Sequence, residues 1–301
     1  MIEVARDSAF DVNGIGPDHR SFPLTFSVRA AGGSWLVDAT AAQAGELAEL
    51  LAGRAAGPVA VVDLHTCSFV DKDFRSWPPS LIAAELGVDC AVHPVGPWAS
   101  ETIGVGEEFL LLDRGELPRL LDGSWTPYQV ALVDLPGEVN AERLDELALV
   151  VGTTAFDQPL LPHLDGSTLW FSGHDDYYLR VESTDPGVPG ALLGRLLALL
   201  AGSALTDAAA DADADDAVPV LVPEPDPALA DRLIAAGPHW AGSVAAVSAT
   251  EVTLMLTALP RRRRLADPAP AGAGRTVTLD LVRGRWQLAP GRAAAREPQR
   301  P

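Results

Sequence analysis

The chain predicts an α/β fold, a mixed, mainly parallel sheet with flanking helices and antiparallel edge hairpins, followed by a small α+β C-terminal unit. Three observations carry that expectation. Residues 58–64, PVAVVDL, form a continuous apolar run of the kind that suits a strand covered on both faces. Before and after it, strand-like and helix-like patterns alternate, as they do where helices connect strands by crossovers. An acidic stretch of small residues, TDAAADADADDA at 206–217, then separates this body from two strongly alternating segments at 252–257 and 276–281. The expected boundaries are 1–205 for the α/β domain, 206–222 for a flexible acidic linker, 223–288 for a small helix plus antiparallel sheet unit, and 289–301 for a disordered tail.

Taken in order, Phe22, Leu24, Phe26 and Val28 alternate with Pro23, Thr25 and Ser27, the pattern of a half-buried strand. A turn at Gly32 and Gly33 returns the chain as a second strand at 34–37. Thr40 and Gln43 stand at capping-box spacing, Leu47, Leu50 and Leu51 share one helical face, and Gly53 supplies a stop. After the 58–64 strand come a short helix at 80–86 ended by Gly87, a strand at 88–93, a helical turn at 117–121, a strand at 129–135 and a helix at 142–151. Residues 168–182 read as a hairpin with a polar tip, and 191–202 as an apolar helix covering the sheet. In the C-terminal unit, a helix is expected at 227–236, with Val252, Leu254 and Leu256 and then Val277, Leu279 and Leu281 marking two strands, and a return strand at 286–288. No internal repeat is present.

Charge narrows the partners. The chain carries 41 Asp and Glu against 22 Lys and Arg, a net −19. Residues 255–301 hold ten arginines against Asp267, Asp280 and Glu297, which leaves the first 254 residues at −26. Such a body repels nucleic acid and anionic membrane and attracts a protein partner with a basic surface. The run Arg261, Arg262, Arg263, Arg264 lacks the interleaved aromatic rings that single-stranded nucleic acid stacks on, so neutralising the acidic body is its expected role. One lysine, Lys72, against 21 arginines, in a chain rich in Ala, Gly and Pro, is the codon signature of a GC-rich bacterial genome. Two cysteines make no disulfide framework, MIEVARDSAF is no secretory leader, and the most apolar helix candidate, 191–205, is short for a bilayer and contains Arg195. The expectation is a cytoplasmic protein with no membrane partner.

The chemistry that stands out begins inside the central strand. Asp63, His65 and Cys67 are spaced by two, so on an extended strand their side chains leave one face, with Asp71 in the loop beyond. His93 ends the next expected strand. If the two strands are neighbours, Asp63, His65, Cys67 and His93 are candidate catalytic residues, with Cys67 as nucleophile and a histidine as base. His65, Cys67, Asp71 and His93 are likewise candidate ligands for a divalent metal such as zinc. The bland alternative is that Asp63 and His65 bond loop amides while Cys67 fills core space. A second cluster, His174, Asp175 and Asp176 at the hairpin tip, holds an imidazole beside two carboxylates, although Gly and Asp are also ordinary turn residues. Trp77 and Trp98 lie in proline-rich loops where exposed rings mark recognition surfaces. No phosphate-binding loop, dinucleotide fingerprint, nucleophile elbow, metalloprotease or kinase motif occurs, and no cofactor is predicted. The expected function is therefore a non-enzymatic interaction or regulatory protein, immunity- or inhibitor-like, that binds a basic partner. The alternative is a metal-dependent or Cys/His hydrolase at the carboxyl end of the 58–67 strand.

Overall fold

The computed structural model describes residues 2–4, 24–40, 44–64, 69–70, 73, 75–95, 106–121, 126–127, 130–154, 158–174, 178–209, 220–258 and 274–289. The strands are β1 (Ile2–Val4), β2 (Leu24–Ala31), β3 (Ser34–Thr40), β4 (Val59–Asp63), β5 (Phe69–Val70), β6 (Cys90–Pro94), β7 (Glu108–Leu112), β8 (Thr126–Pro127), β9 (Val130–Asp134), β10 (Leu169–His174), β11 (Tyr178–Ser183), β12 (Val220–Val222), β13 (His239–Val247), β14 (Glu251–Ala258), β15 (Gly274–Asp280) and β16 (Arg285–Leu288). The helices are α1 (Ala44–Arg54), α2 (Pro79–Leu86), the short α3 (Leu117–Leu120), α4 (Ala141–Thr153), α5 (Val188–Ala209) and α6 (Pro227–Ala236).

Twelve strands form one antiparallel sheet in the order β16-β15-β14-β13-β2-β3-β11-β10-β9-β4-β7-β6, and β1 with β12 and β5 with β8 make two small separate pairs. This corrects the expected mainly parallel α/β fold. The apolar strand β4 is buried at every position, yet both of its neighbours, β7 and β9, run antiparallel to it. Coverage of both faces makes a strand apolar throughout, whichever way its neighbours run. The crossovers misled in the same way. α1 joins β3 to β4, and α2 lies between β4 and β6, and in each case the joined strands point in one direction. However, β11, β10 and β9 are interleaved between the first pair and β7 between the second.

The chain clusters into two compact units, Val28–Val188 and Met1–Ser27 with Pro189–Pro301. In the Val28–Val188 unit, the sheet is faced on both sides. Ala60, Val62, Phe109, Ala131, Val133 and Trp170 point toward α4, where they pack with Leu144, Leu147 and Ala148. The alternate residues Val59, Val61, Leu110, Leu112, Leu132 and Phe171 are equally buried on the opposite face, where α1 and α2 contact β10 and β7 and both touch α3. α2 opens with Pro79 in its first turn and closes on Gly87 at φ 66°, the left-handed stop that the sequence predicts. α4 starts at Asn140, whose side chain accepts the Arg143 amide at 2.9 Å.

The other unit is a meander of β13 to β16 with β2, built around Leu24, Phe26, Trp240, Val252, Leu254, Leu256, Val277 and Leu279. Gly242 permits a close approach, since a Cβ there would stand 3.0 Å from Leu256, 3.4 Å from Leu24 and 3.6 Å from Leu200 of α5. α5 runs for 22 residues rather than the expected dozen. By length and composition its residues 188–208 could cross a membrane, and 83% of that window is buried inside the protein. Helix α5 and β12 reach into both ends of the expected linker, whose centre, 210–219, lies outside the described residues.

Candidate functional site

Of the residues that the sequence singles out, Asp63, His93 and His174 close their strands at one end of the Val28–Val188 sheet. The registers line up a row across it: Asp38 opposite Arg180, Arg180 opposite Ser172, Ser172 opposite Ala131, Ala131 opposite Val62, Val62 opposite Phe109, and Phe109 opposite His93. Directly opposed residues share a face, so this entire row points toward α4. Asp63, the next residue along β4, points the other way.

That alternation separates Asp63 from His93. β7, a strand that the EFLLL run at 108–112 did not announce, lies between β4 and β6. His93 and Asp63 are thus two strand spacings apart, about 10 Å, and leave opposite faces of the sheet. They do not converge. Asp63 is 3% exposed, and its carbonyl accepts the Gly106 amide at 2.7 Å. Gly106 is pressed so close that a Cβ would stand 2.8 Å from the Asp63 Cβ, which only a glycine avoids. His93 instead turns to α4, where its Nε2 lies 3.4 Å from Asp145 Oδ1. The Asp145 side chain is 55% exposed, so this contact is a surface pair of small energetic worth.

His65, Cys67, Asp71, Trp98, Asp175, Asp176 and Arg261, Arg262, Arg263 and Arg264 lie outside the described residues. His174 closes β10 opposite Tyr178, one row beyond Gly173 and Leu179, and its side chain is likewise outside the description. Trp77 is half-buried just before α2. Among the described residues, no three His, Cys, Asp or Glu side chains are grouped as a metal centre requires. Cys90 is a free thiol at the start of β6, pushed up in pKa first by burial and then by the negative field of Asp89, Glu108 and Glu116. A raised thiol is a poor nucleophile near neutrality.

Two features escaped the sequence reading. One is the row's own ion pair: Arg180 Nε donates to Asp38 Oδ1 at 2.7 Å, with the guanidinium side nearly buried and the carboxylate partly open. Its signal was the spacing of Tyr178, Arg180 and Glu182, which puts a polar stripe on one face of a strand. The other is a pair of buried carboxylates at the opposite end of the sheet. Asp134 accepts the amides of Thr168 (2.7 Å), Leu169 (2.8 Å) and Ala56 (3.0 Å) and the Thr168 hydroxyl (2.5 Å). Glu182 accepts the Ser34 hydroxyl (2.5 Å) and the amides of Leu160 (2.6 Å) and Leu161 (3.2 Å). Each carboxylate is consumed by neighbouring loops and is structural. Fold and charge together define a helix-faced antiparallel sheet with an acidic unit. A scan against protein-family models and searches of curated proteins and of solved structures returned no match.

Proposed function

We propose that the protein is a binding protein, immunity- or inhibitor-like in character, whose Val28–Val188 unit receives a partner with a basic surface. One observation carries the reading. Residues 28–188 hold 25 Asp and Glu against 8 Lys and Arg, a net −17, while the remainder of the chain is close to balance at −2. Charge so concentrated on one unit steers a cationic partner to that unit by raising its encounter rate. Of the alternative hydrolase set, Asp63 and His93 diverge, while His65 and Cys67 lie outside the described residues.

The test replaces exposed carboxylates in two matched sets and measures binding of a cationic peptide. One set is Glu85→Gln, Asp89→Asn and Glu107→Gln in the acidic unit, and the other is Asp226→Asn, Asp231→Asn and Glu251→Gln in the other unit. Affinity falls for the first set alone, and wild-type binding weakens as salt rises from about 0.05 to about 0.3 M, where the Debye length becomes shorter than about 8 Å. Equal losses from both sets, or binding indifferent to salt, would remove the proposal.

A further inference from the structure

The twelve-stranded sheet ends on one side at β6, and among the described residues no strand pairs with this edge. Ala91, Val92 and Pro94 are exposed, Val92 at 47%. The phase of the backbone follows from one contact. Val95 donates to the Glu107 carbonyl at 2.8 Å, which makes Val95 and Glu107 a hydrogen-bonded pair. Alternation then makes His93–Phe109 and Ala91–Leu111 hydrogen-bonded pairs as well. The backbone groups of Cys90, Val92 and Pro94 therefore turn outward, away from β7. Pro94 occupies an outward position, so its missing N–H costs the β6–β7 ladder nothing. What remains is a row of two outward N–H groups and three outward carbonyls.

Natural edges are blunted by lysine, by proline, by a bulge or by a covering element, and Pro94 blunts only the last position of β6. β6 contains no lysine, its register to β7 is unbroken, and its middle residue is an exposed valine. Its surroundings are acidic. Asp89 and Glu107 are exposed at its two ends, Glu85 is exposed on α2, and Asp145 stands beside His93. A second copy placed on this edge about a two-fold axis would set these carboxylates against their own equivalents, so like charge opposes it.

We propose that β6 is an acceptor edge, on which an extended segment of a partner, carrying arginine or lysine at alternate positions, adds as a further antiparallel strand. This rests on the reading of an acidic binding unit and supplies its mode: backbone bonds to Cys90, Val92 and Pro94, with the basic side chains turned to the α4 face against Asp89, Glu107 and Asp145.

The test uses the full chain and two synthetic peptides of alternating Val and Arg, one ordinary and one N-methylated at every backbone nitrogen. Both carry the same charge, but only the first can donate to a strand edge. The ordinary peptide is expected to bind ~10-fold or more tightly than its methylated twin, which has no backbone donor for the outward carbonyls of β6. In amide hydrogen exchange, Cys90 and Val92 exchange quickly in the unbound protein and slow when the ordinary peptide binds, whereas Ala91 and His93 are protected throughout. Val92→Pro deletes an outward N–H that β7 does not use, and it should reduce binding of the ordinary peptide alone.

Equal binding of the two peptides, without protection at Val92, overturns strand addition and leaves the charge reading standing. Failure of both peptides to bind overturns the two together. Self-association of the protein that Val92→Pro abolishes would give the edge to a second copy and overturn the proposal.

Discussion

At the end of the Val28–Val188 sheet where β4 and β10 begin, Asp134 and Glu182 between them accept seven hydrogen bonds from four neighbouring segments. There too Arg143 donates to the carbonyls of Pro136, Glu138 and Asp165. At the opposite end, where β4 and β10 finish, the side-chain contact of His93 is one long approach to an exposed carboxylate. The first end is closed: its charged groups satisfy backbone donors and acceptors that would otherwise be stranded. The second end carries Asp63, His93 and His174, three of the residues that look chemical in the sequence. The carboxylates at the closed end are fasteners, whereas the one that His93 approaches at the other end, Asp145, is largely exposed. In a parallel sheet the carboxyl ends all lie together and mark the ligand side. In an antiparallel sheet each end carries both kinds of terminus, and that guide gives no direction.

The largest expected effect tests the closed end. Asp134→Ala strands the buried Leu169 amide together with the partly buried Thr168 amide and hydroxyl and Ala56 amide. A buried group left without a partner costs about 1–3 kcal/mol, so a total loss of roughly 3 kcal/mol is expected after water recovers the more open donors. Asp134→Asn should cost less but not vanish. One carboxylate oxygen serves Thr168 and Leu169 and the other serves Ala56, so an amide NH₂ must face at least one N–H donor. Urea midpoints measure both. A change below about 0.5 kcal/mol for the alanine variant would mean that the fastening is made elsewhere.

How far this contrast was legible in the sequence depends on what each residue must do locally. Gly87 and the alternation of Val252, Leu254 and Leu256 announced their elements, because stops and faces are set within a few residues. Strand order was not legible, since it depends on which distant strand inserts where. β7 is a five-residue apolar run with no period to distinguish it from a buried helix turn. It separates His93 from Asp63, and overlooking it created the apparent convergence. Likewise β13, HWAGSVAAV, is rich in small residues because α5 packs close at Gly242, and it shows little of the bulky alternation that marks a strand.

A pair of glycines compares the two ends more directly. A Cβ on Gly57, at the closed end, would stand 2.6 Å from the Pro136 Cα, and one on Gly106, at the other end, 2.8 Å from the Asp63 Cβ. Both are overpacked sites by distance, where substitution typically costs about 1–3 kcal/mol. The obstruction differs. Gly57 meets three backbone atoms within 3.0 Å, in a segment held by Leu135 donating to the Pro58 carbonyl at 2.7 Å, while Gly106 meets one atom within 3.0 Å, the Asp63 Cβ at the end of β4. Gly57→Ala should therefore lose more stability than Gly106→Ala. Equal losses in thermal melts would show that the end bearing Asp63 is as rigid as the other, and would break the contrast.

The smallest effect concerns acid. Asp185, just past β11 at the closed end, accepts the Gly187 amide at 2.8 Å and Arg54 Nη1 at 2.7 Å. The Gly187 bond first, and then Arg54, hold its carboxyl below the usual range, against a partial opposing effect of burial. A carboxylate with a lowered folded-state pKa contributes stability that is fully present above its unfolded value, about 3.9, and is lost as pH falls through the folded value. With the Asp185 side chain 43% exposed, solvent screening keeps the contribution below about 1 kcal/mol. Asp185→Asn should therefore destabilise the protein slightly at pH near 7 and converge with the wild type in strong acid. Urea midpoints followed down in pH read the difference. A gap that persists unchanged below the folded pKa would mean that Asp185 acts through its shape rather than its charge, and that the fastening of the closed end owes less to ionised carboxylates than Asp134 and Glu182 imply.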